Sequence, residues 1–533
     1  MNGQNRILKG RGMVTLIGLL TVCAVSTRQP RIAGAATGCA RSAIQAISPT
    51  DTSIISATPQ SSPVSYCDVF GYVTTDNPGP NKVGFELALP DSWNNRFVFV
   101  GNGGFGSFQT AEASPSILTQ FGFASAITDT GHSSSAPNPS IDATFALNNL
   151  GAQDDWLYRS VHVATVASKA IMQGYYTQAL VHSYFSGCSN GGRQAMVEAE
   201  QFPDDYDGIS AAAPGLGDSF AGWNWNSEQV TASADNFVPP DKLKLLDAAI
   251  LKSCDGADGV VDGLIQDPRA CNFDPQSLQC KGSDAPSCLT AGQVATIKAV
   301  YQGRNKVYPG FSVSDPDSDN GWSPWIMGLA APDALGTAEP WSSIGDAPLQ
   351  FDIQDGFLKY FVFGDPTYNS LSFSINDSTQ LAQLEAVITR GGADGANPDL
   401  SRFKQHGGKL TIFHGWSDPA LSPLETVQYY KNVAKKMGGM AATQQFARLF
   451  LMPGTQHCGG GPGPNSWNPI APVFYWVESG TAPDQIPAVH YQNDDPNSGV
   501  ITRTMPLCMY PNQAKYIGGD VNQASSWTCP SSN

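Results

Sequence analysis

The chain has 533 residues, 14% of them charged, with 54 glycines, 38 prolines and a formal net charge of −16. This composition excludes a coiled coil or a disordered chain and describes a loop-rich globular protein, long enough for more than one hydrophobic core. The acidic balance argues against nucleic acid or an anionic membrane surface as a partner, because both are polyanions.

At the start of the chain, Arg6, Lys9 and Arg11 form a basic segment before the apolar run MVTLIGLLTVCAV (13–25), and AGA (33–35) offers a small-residue cleavage site. The pattern predicts a signal peptide over residues 1–35, a mature chain beginning near Ala36, and a secreted or periplasmic protein. A membrane anchor is the competing reading, but the run is short for a bilayer span. Cys23 raises a lipoprotein alternative, which Val22 before it disfavours. Of the eleven cysteines, removal of Cys23 leaves ten: Cys39, Cys67, Cys188, Cys254, Cys271, Cys280, Cys288, Cys458, Cys508 and Cys529. An even count in an exported chain predicts five disulfides. Joining sequence neighbours gives 39–67, 254–271, 280–288 and 508–529. Cys188 and Cys458 are then left with each other, or as two buried free thiols.

Next come predicted strands at VFGYVTT, VGFELALP and RFVFV within 69–100, the last ending in the glycine loop GNGGFG (101–106). FASAITDTGH (123–132) predicts a short strand and loop, and the segment 155–176 has apolar residues at helical spacing without proline. The stretch ALVHSYFSGCSNGGRQAMVEAEQFP then reads as strand, sharp turn and helix, the helix ending at Phe202 before Pro203. YDGISAAAP (206–214) is a further strand. The segment 216–400 changes character, with clustered cysteines, many Trp and Pro, and irregular loops. GGKLTIFHGWSDPALSP (407–423), a helix over 426–439, and FARLFLMPGTQHCGGG restore the strand–helix–strand pattern. The alternation predicts a mostly parallel α/β sheet covered by helices. It gives an α/β domain from 36–215 and 401–533, interrupted by an inserted lid at 216–400.

GCSNG (187–191) matches G-x-S-x-G between a strand and a helix, the nucleophile elbow of an α/β-hydrolase fold. Small residues allow the tight turn, which lifts the Ser189 hydroxyl toward substrate. The chain order of this fold is Ser, then Asp or Glu, then His. Asp418 follows the strand LTIF and His457 follows ARLFLM, so both fall in post-strand loops. His414 reads as a structural hydrogen-bonding histidine, His162 as core packing, and His490 as lying in a less structured context. The oxyanion donors are expected to be the amide of Asn190 and one from Gly103 or Gly104.

CDGADGVVDGLIQD (254–267) gathers Asp255, Asp258 and Asp262 in one glycine-rich loop, where the carboxylates repel unless a cation offsets them. Hard oxygen donors, with the carbonyls of Val260 and Leu264, suit a structural Ca²⁺. A solvated acidic turn is the alternative. DPDSDNG (315–321) imitates a calcium loop, but Ile326 stands where an EF-hand needs Glu.

Taken together, GCSNGGRQ, CDGADGVVDG…DPRAC, GGKLTIFHGWSD and GTQHCGGG resemble the tannase and feruloyl esterase family, over nearly all the chain from Cys39 to Cys529. The resemblance implies Ser189 as nucleophile, His457 as base, Asp418 as its orienting carboxylate, and a Cys188–Cys458 disulfide beneath them. It implies Ca²⁺ held by Asp255, Asp258, Val260, Asp262 and Leu264. The expected activity is a feruloyl esterase-like serine carboxylesterase for esters of aromatic, hydroxycinnamic-type acids, derived from plant cell walls or polyesters. Tannase and mono(2-hydroxyethyl) terephthalate hydrolase activities are the alternatives within the family. A peptidase or acyltransferase on the same scaffold, and a non-catalytic binding protein, are the readings from other classes. The last is disfavoured because Ser189, Asp418 and His457 are all present.

Overall fold

A computed structural model describes residues 38–530 apart from 305–306, 318–319 and 344. The expected signal peptide, with Cys23, lies outside the described residues. The main sheet has nine strands: β1 (Thr52–Gln60), β2 (Tyr66–Thr75), β3 (Asn81–Pro90), β4 (Arg96–Val100), β5 (Ala124–Thr128), β6 (His182–Cys188), β7 (Gly208–Ala212), β8 (Lys409–Gly415) and β9 (Ala447–Met452). Their spatial order is β1-β2-β3-β5-β4-β6-β7-β8-β9. The β1, β2 and β3 pairings are antiparallel, and every pairing from β5 through β4 to β9 is parallel.

Parallel strands buried on both faces read as continuous apolar runs, because neither face meets water. RFVFV in β4 shows this directly. Phe97 and Phe99 join a core with residues of the helices Ser160–Tyr175 and Asn190–Gln201, while Val98 and Val100 pack on the other side with Val473 of the helix Ala471–Ser479. The predicted helix over 426–439 begins earlier, at Pro423, where the Ser422 hydroxyl caps it by accepting the Leu424 amide. β1 was not among the predicted strands. It is a half-exposed edge strand, so it carries little apolar patterning.

Between β7 and β8 the described residues contribute no strand to the sheet. They form helices around a second core that includes Val230, Leu246, Ile297 and Phe357. That core is continuous with residues N-terminal to the insertion: Phe105 stacks on Phe361 at 5.9 Å, and Trp156 lies 5.2 Å from the same ring. The insertion between β7 and β8 therefore shares its hydrophobic centre with the loop after β4.

The C-terminal segment adds a hairpin, β10 (Gln485–Tyr491) and β11 (Ile501–Cys508), and a short pair, β12 (Lys515–Tyr516) and β13 (Trp527–Thr528). Two histidine readings are corrected here. His490 lies in β10, paired with Arg503. His162 is not a core residue: its Nδ1 sits 2.6 Å from Asp205 and its ring stacks on Phe202 at 3.9 Å, at the rim of its helix. The five disulfides are Cys39–Cys67, Cys188–Cys458, Cys254–Cys271, Cys280–Cys288 and Cys508–Cys529.

Candidate active site

Ser189 stands between β6 and the helix Asn190–Gln201 with φ 62° and ψ −124°. A non-glycine residue at positive φ costs on the order of 1–3 kcal/mol, and the surroundings must hold it there. They do so by close backbone approach. A Cβ on Gly187 would lie 2.4 Å from the Gly191 carbonyl oxygen, and one on Gly192 would lie 2.2 Å from the Ala212 carbonyl oxygen. The Ser189 amide donates to the same Ala212 carbonyl at 3.0 Å, tying the turn to β7.

The loops after β8 and β9 bring the other two groups. His457 Nε2 is 2.9 Å from Ser189 Oγ, and His457 Nδ1 is 2.9 Å from Asp418 Oδ2. Asp418 is buried, and its Oδ1 accepts the amides of Ala420 at 2.8 Å and Leu421 at 3.0 Å. Burial alone would raise this carboxyl, but His457 and His414 more than offset it and hold Asp418 well below the usual carboxylate range. With Asp418 ionised, Nδ1 of His457 carries the proton and Nε2 is left to accept the Ser189 hydroxyl. His414 is the structural histidine expected, fully buried, with Nδ1 2.8 Å from Thr426 Oγ1. The sequence did not signal that its Nε2 also reaches Asp418 Oδ2, at 3.2 Å.

The GNGGFG loop lies against the elbow: the Asn102 amide donates to Gln194 Oε1, on the elbow helix, at 3.1 Å. Of the two expected donors, Gly103 is already engaged, its amide donating to the Thr110 carbonyl at 2.9 Å. Gly104 has φ 56° and no room for a side chain: a Cβ would meet the Ser140 carbonyl oxygen at 2.2 Å. Asn190, the other expected donor, opens the elbow helix, and its side-chain Oδ1 accepts from Arg193 Nε at 2.9 Å.

Residues 67–530 match the family model described as tannase and feruloyl esterase. The chain belongs to the tannase and feruloyl esterase family. It is a carboxylic ester hydrolase on an α/β-hydrolase-type fold. A mono(2-hydroxyethyl) terephthalate hydrolase from Piscinibacter sakaiensis is 33% identical over 523 residues, covering 87% of this chain and 84% of that protein. A protein named "Probable feruloyl esterase" from Arthroderma benhamiae is 31% identical, covering 86% of this chain and 84% of its own. The crystal structure of feruloyl esterase B from Aspergillus oryzae superposes with a TM-score of 0.76 at 25% identity, over 91% of this chain and 98% of that one.

In this tannase and feruloyl esterase family member, the segment between β7 and β8 reaches the histidine directly. The Trp325 ring meets the His457 ring edge-on at 4.8 Å, and Trp325 Nε1 donates to Asn320 Oδ1 at 2.9 Å. Asn320 in turn donates from Nδ2 to the His457 carbonyl at 3.3 Å. Neither residue was singled out from the sequence. Both sit in an irregular, Pro-rich stretch where no periodicity marks a side chain's direction.

The acidic loop lies against the C-terminal hairpin. Leu264 packs with Met505, Cys508 and Trp527, and a Cβ on Gly454, three positions before His457, would be 2.5 Å from Leu264 Cδ2. Asp255 accepts the amides of Asp262 at 3.0 Å and Gly263 at 2.9 Å, while Asp262 Oδ2 faces Arg503 Nη1 at 3.4 Å. Among the described residues no three His, Cys, Asp or Glu side chains are already placed to hold a metal ion. The donor chemistry nevertheless fits a hard cation. Asp258 Oδ2 is buried without a partner, and burial, with the neighbouring carboxylates, raises Asp258 and takes Asp262 up to about 6 in spite of Arg503. In DPDSDNG, burial and the neighbouring Asp247 carboxyl push Asp315 up to about 8.

Proposed function

We propose that this protein is a secreted serine esterase that hydrolyses esters of aromatic acids, with feruloyl-type esters as the first choice of substrate. The observation that carries the reading is the continuous Ser189–His457–Asp418 contact, 2.9 Å at each link. His457 Nε2 takes the Ser189 proton as Oγ attacks the ester carbonyl, and Asp418 stabilises the imidazolium that forms. The amides of Asn190 and Gly104 are the proposed donors to the tetrahedral oxyanion. His457 then returns the proton to the leaving alcohol, and water enters by the reverse sequence. Trp325, edge-on to His457, would give the acyl ring an aromatic wall on the lid side. Five disulfides support an oxidising destination for the chain. The described residues contain no helix long and apolar enough to cross a membrane.

The 33% identical mono(2-hydroxyethyl) terephthalate hydrolase supports a second reading, in which the acyl group is a terephthalate monoester. Methyl ferulate, methyl gallate and mono(2-hydroxyethyl) terephthalate, assayed side by side, decide between the members. The expected result is the highest kcat/KM on methyl ferulate. Hydrolysis of none of the three would sink the aromatic-ester reading.

Under the same reading Asp255, Asp258, Asp262 and the carbonyls of Val260 and Leu264 hold a structural Ca²⁺, which neutralises carboxylates that now repel one another. Asp255 and Asp262 would have to turn from their backbone amides to do so. A ligand present at a hundred times its Kd stabilises by about 2.7 kcal/mol. For a chain of this size that is about 2–3 °C of Tm. Chelation is expected to lower Tm by that amount and added calcium to restore it. An unchanged Tm in both directions would leave the loop a solvated acidic turn.

A further inference from the structure

Beside the nucleophile elbow, lined in part by Cys188 and Cys458, is a small cavity of about 30 Å³. Val98, Val100, Leu118, Trp467 and Ile470 give it apolar walls, and the disulfide closes one side. Among the described residues lining it, Glu112 is the one ionisable side chain. Its oxygen Oε1 accepts the backbone amide of Cys188, the residue before the nucleophile. The same oxygen lies over the second residue of the elbow helix, since a Cβ on Gly191 would be 2.5 Å from it.

The backbone of Glu112 is tied to the other half of the site. Its amide donates to the Gly101 carbonyl at 3.2 Å, Ala111 bridges Asn102, and Thr110 accepts from Gly103 at 2.9 Å. The strip 110–112 is therefore paired along the glycine loop, and its one carboxyl group reaches across to the elbow. Resting on the reading of Ser189 as nucleophile, we propose that Glu112 is a positioning residue that braces the glycine loop to the elbow, and that it does so as an uncharged carboxylic acid.

The chemistry of the position favours the neutral form. Burial pushes the Glu112 carboxyl up to about 8, and the Cys188 amide only partly opposes this. No charged side chain on β4, β6, β7, the elbow helix or the 467–470 segment lines the cavity to compensate an anion. His457, next to Cys458, does not line the cavity and directs its imidazole to Ser189. Because Oε1 accepts an N–H, the proton belongs on Oε2. A carboxylate here would place a negative charge beside the amides proposed to receive the oxyanion, and would oppose the charge that develops in the transition state.

The test is the pH profile of methyl ferulate hydrolysis from pH 6 to 10 for the wild type, Glu112→Gln and Glu112→Ala. The wild-type kcat is expected to fall at least tenfold with a midpoint near 8. Glu112→Gln keeps the accepting oxygen but cannot ionise, so that fall is lost. Glu112→Ala lowers kcat at least tenfold at pH 7 with KM changed less than threefold, and Gln restores most of that loss. Stability gives an independent readout. The unfolded chain releases this proton near the ordinary value of about 4.5 and the folded protein near 8, so wild-type stability declines as pH rises between them. The Tm advantage of Glu112→Gln over wild type therefore grows from pH 5 to pH 8. An identical alkaline limb in wild type and Glu112→Gln overturns the proposal, as does full kcat in Glu112→Ala. Fluorophosphonate labelling of wild-type Ser189 at pH 7 separates the two levels. If Ser189 does not label, the serine-esterase reading fails and this proposal with it; if it labels, an unaltered profile defeats the role of Glu112 alone.

Discussion

Ser189→Ala is expected to lower kcat on methyl ferulate by about 10⁵–10⁶, the scale on which single removal of a nucleophile acts in serine hydrolases. On the proposed mechanism the loss arises because Oγ is the atom that would form the covalent intermediate, and Ser189 Oγ is the hydroxyl that His457 Nε2 contacts, at 2.9 Å. What survives should be the smaller contribution of oxyanion stabilisation and binding, about 10³–10⁴ over water. The fold should be untouched. The residue would keep its positive φ, and the contacts of Gly187 and Gly192 that shape the turn involve backbone only. Steady-state kinetics and a melting curve on the same preparation check both halves. More than 1% of wild-type activity with an intact fold would refute the mechanism.

The second large effect is expected from the double variant Cys188→Ala/Cys458→Ala. This disulfide joins residues 270 positions apart, with Cα atoms separated by 5.9 Å. Chain-entropy reasoning gives on the order of 5 kcal/mol for a loop this long, as an upper value. A fall in Tm is therefore expected, but the diagnostic change is in kcat. The bonded cysteines flank Ser189 on one side and His457 on the other, so the bond fixes the two loops that carry the nucleophile and the base. Released, they are free to drift by fractions of an ångström, and about 1 Å of misplacement costs on the order of 10²-fold in rate. At 25 °C, where the variant is still folded, kcat should fall about 10- to 100-fold with KM little changed. Removing Cys280–Cys288, which closes only 8 positions within the lid, serves as the control and should leave kcat alone. Equal kcat in the two double variants would assign the Cys188–Cys458 bond to stability only.

What could be read in the sequence and what could not divides along physical lines. The parallel strands were legible because burial on both faces leaves an unbroken apolar run from Phe97 to Val100 and one polar residue, Thr411, in LTIF. The elbow was legible because its geometry demands glycine at fixed offsets from Ser189. Asp418 and His457 were legible because a parallel sheet delivers its post-strand loops to one edge. The hairpin β10–β11 escaped because PAVH and RTMP carry proline and charge, which an edge position tolerates. His162 was misjudged because apolar neighbours at helical spacing suggested the core, whereas Asp205 holds it at the rim. Glu112, Asn320 and Trp325 had no local signal at all. Each acts on a partner between 76 and 137 positions away, and only the folded chain sets that distance.

The long insertion is, topologically, a single crossover. β7 and β8 are neighbouring parallel strands in register from Gly208–Lys409 to Ala212–Phe413, so some connection must return from the end of one to the start of the other. A dozen residues would suffice for that return; here residues 213–408 make it. Both ends of the excursion are clamped by the ladder, and the three reactive side chains all lie outside it. A different excursion grafted between the same two strands would meet the same Ser189, Asp418 and His457. The groups proposed to break the bond are thereby anchored outside the crossover, and any change in the excursion reaches them through the two side chains it lays against His457, Asn320 and Trp325.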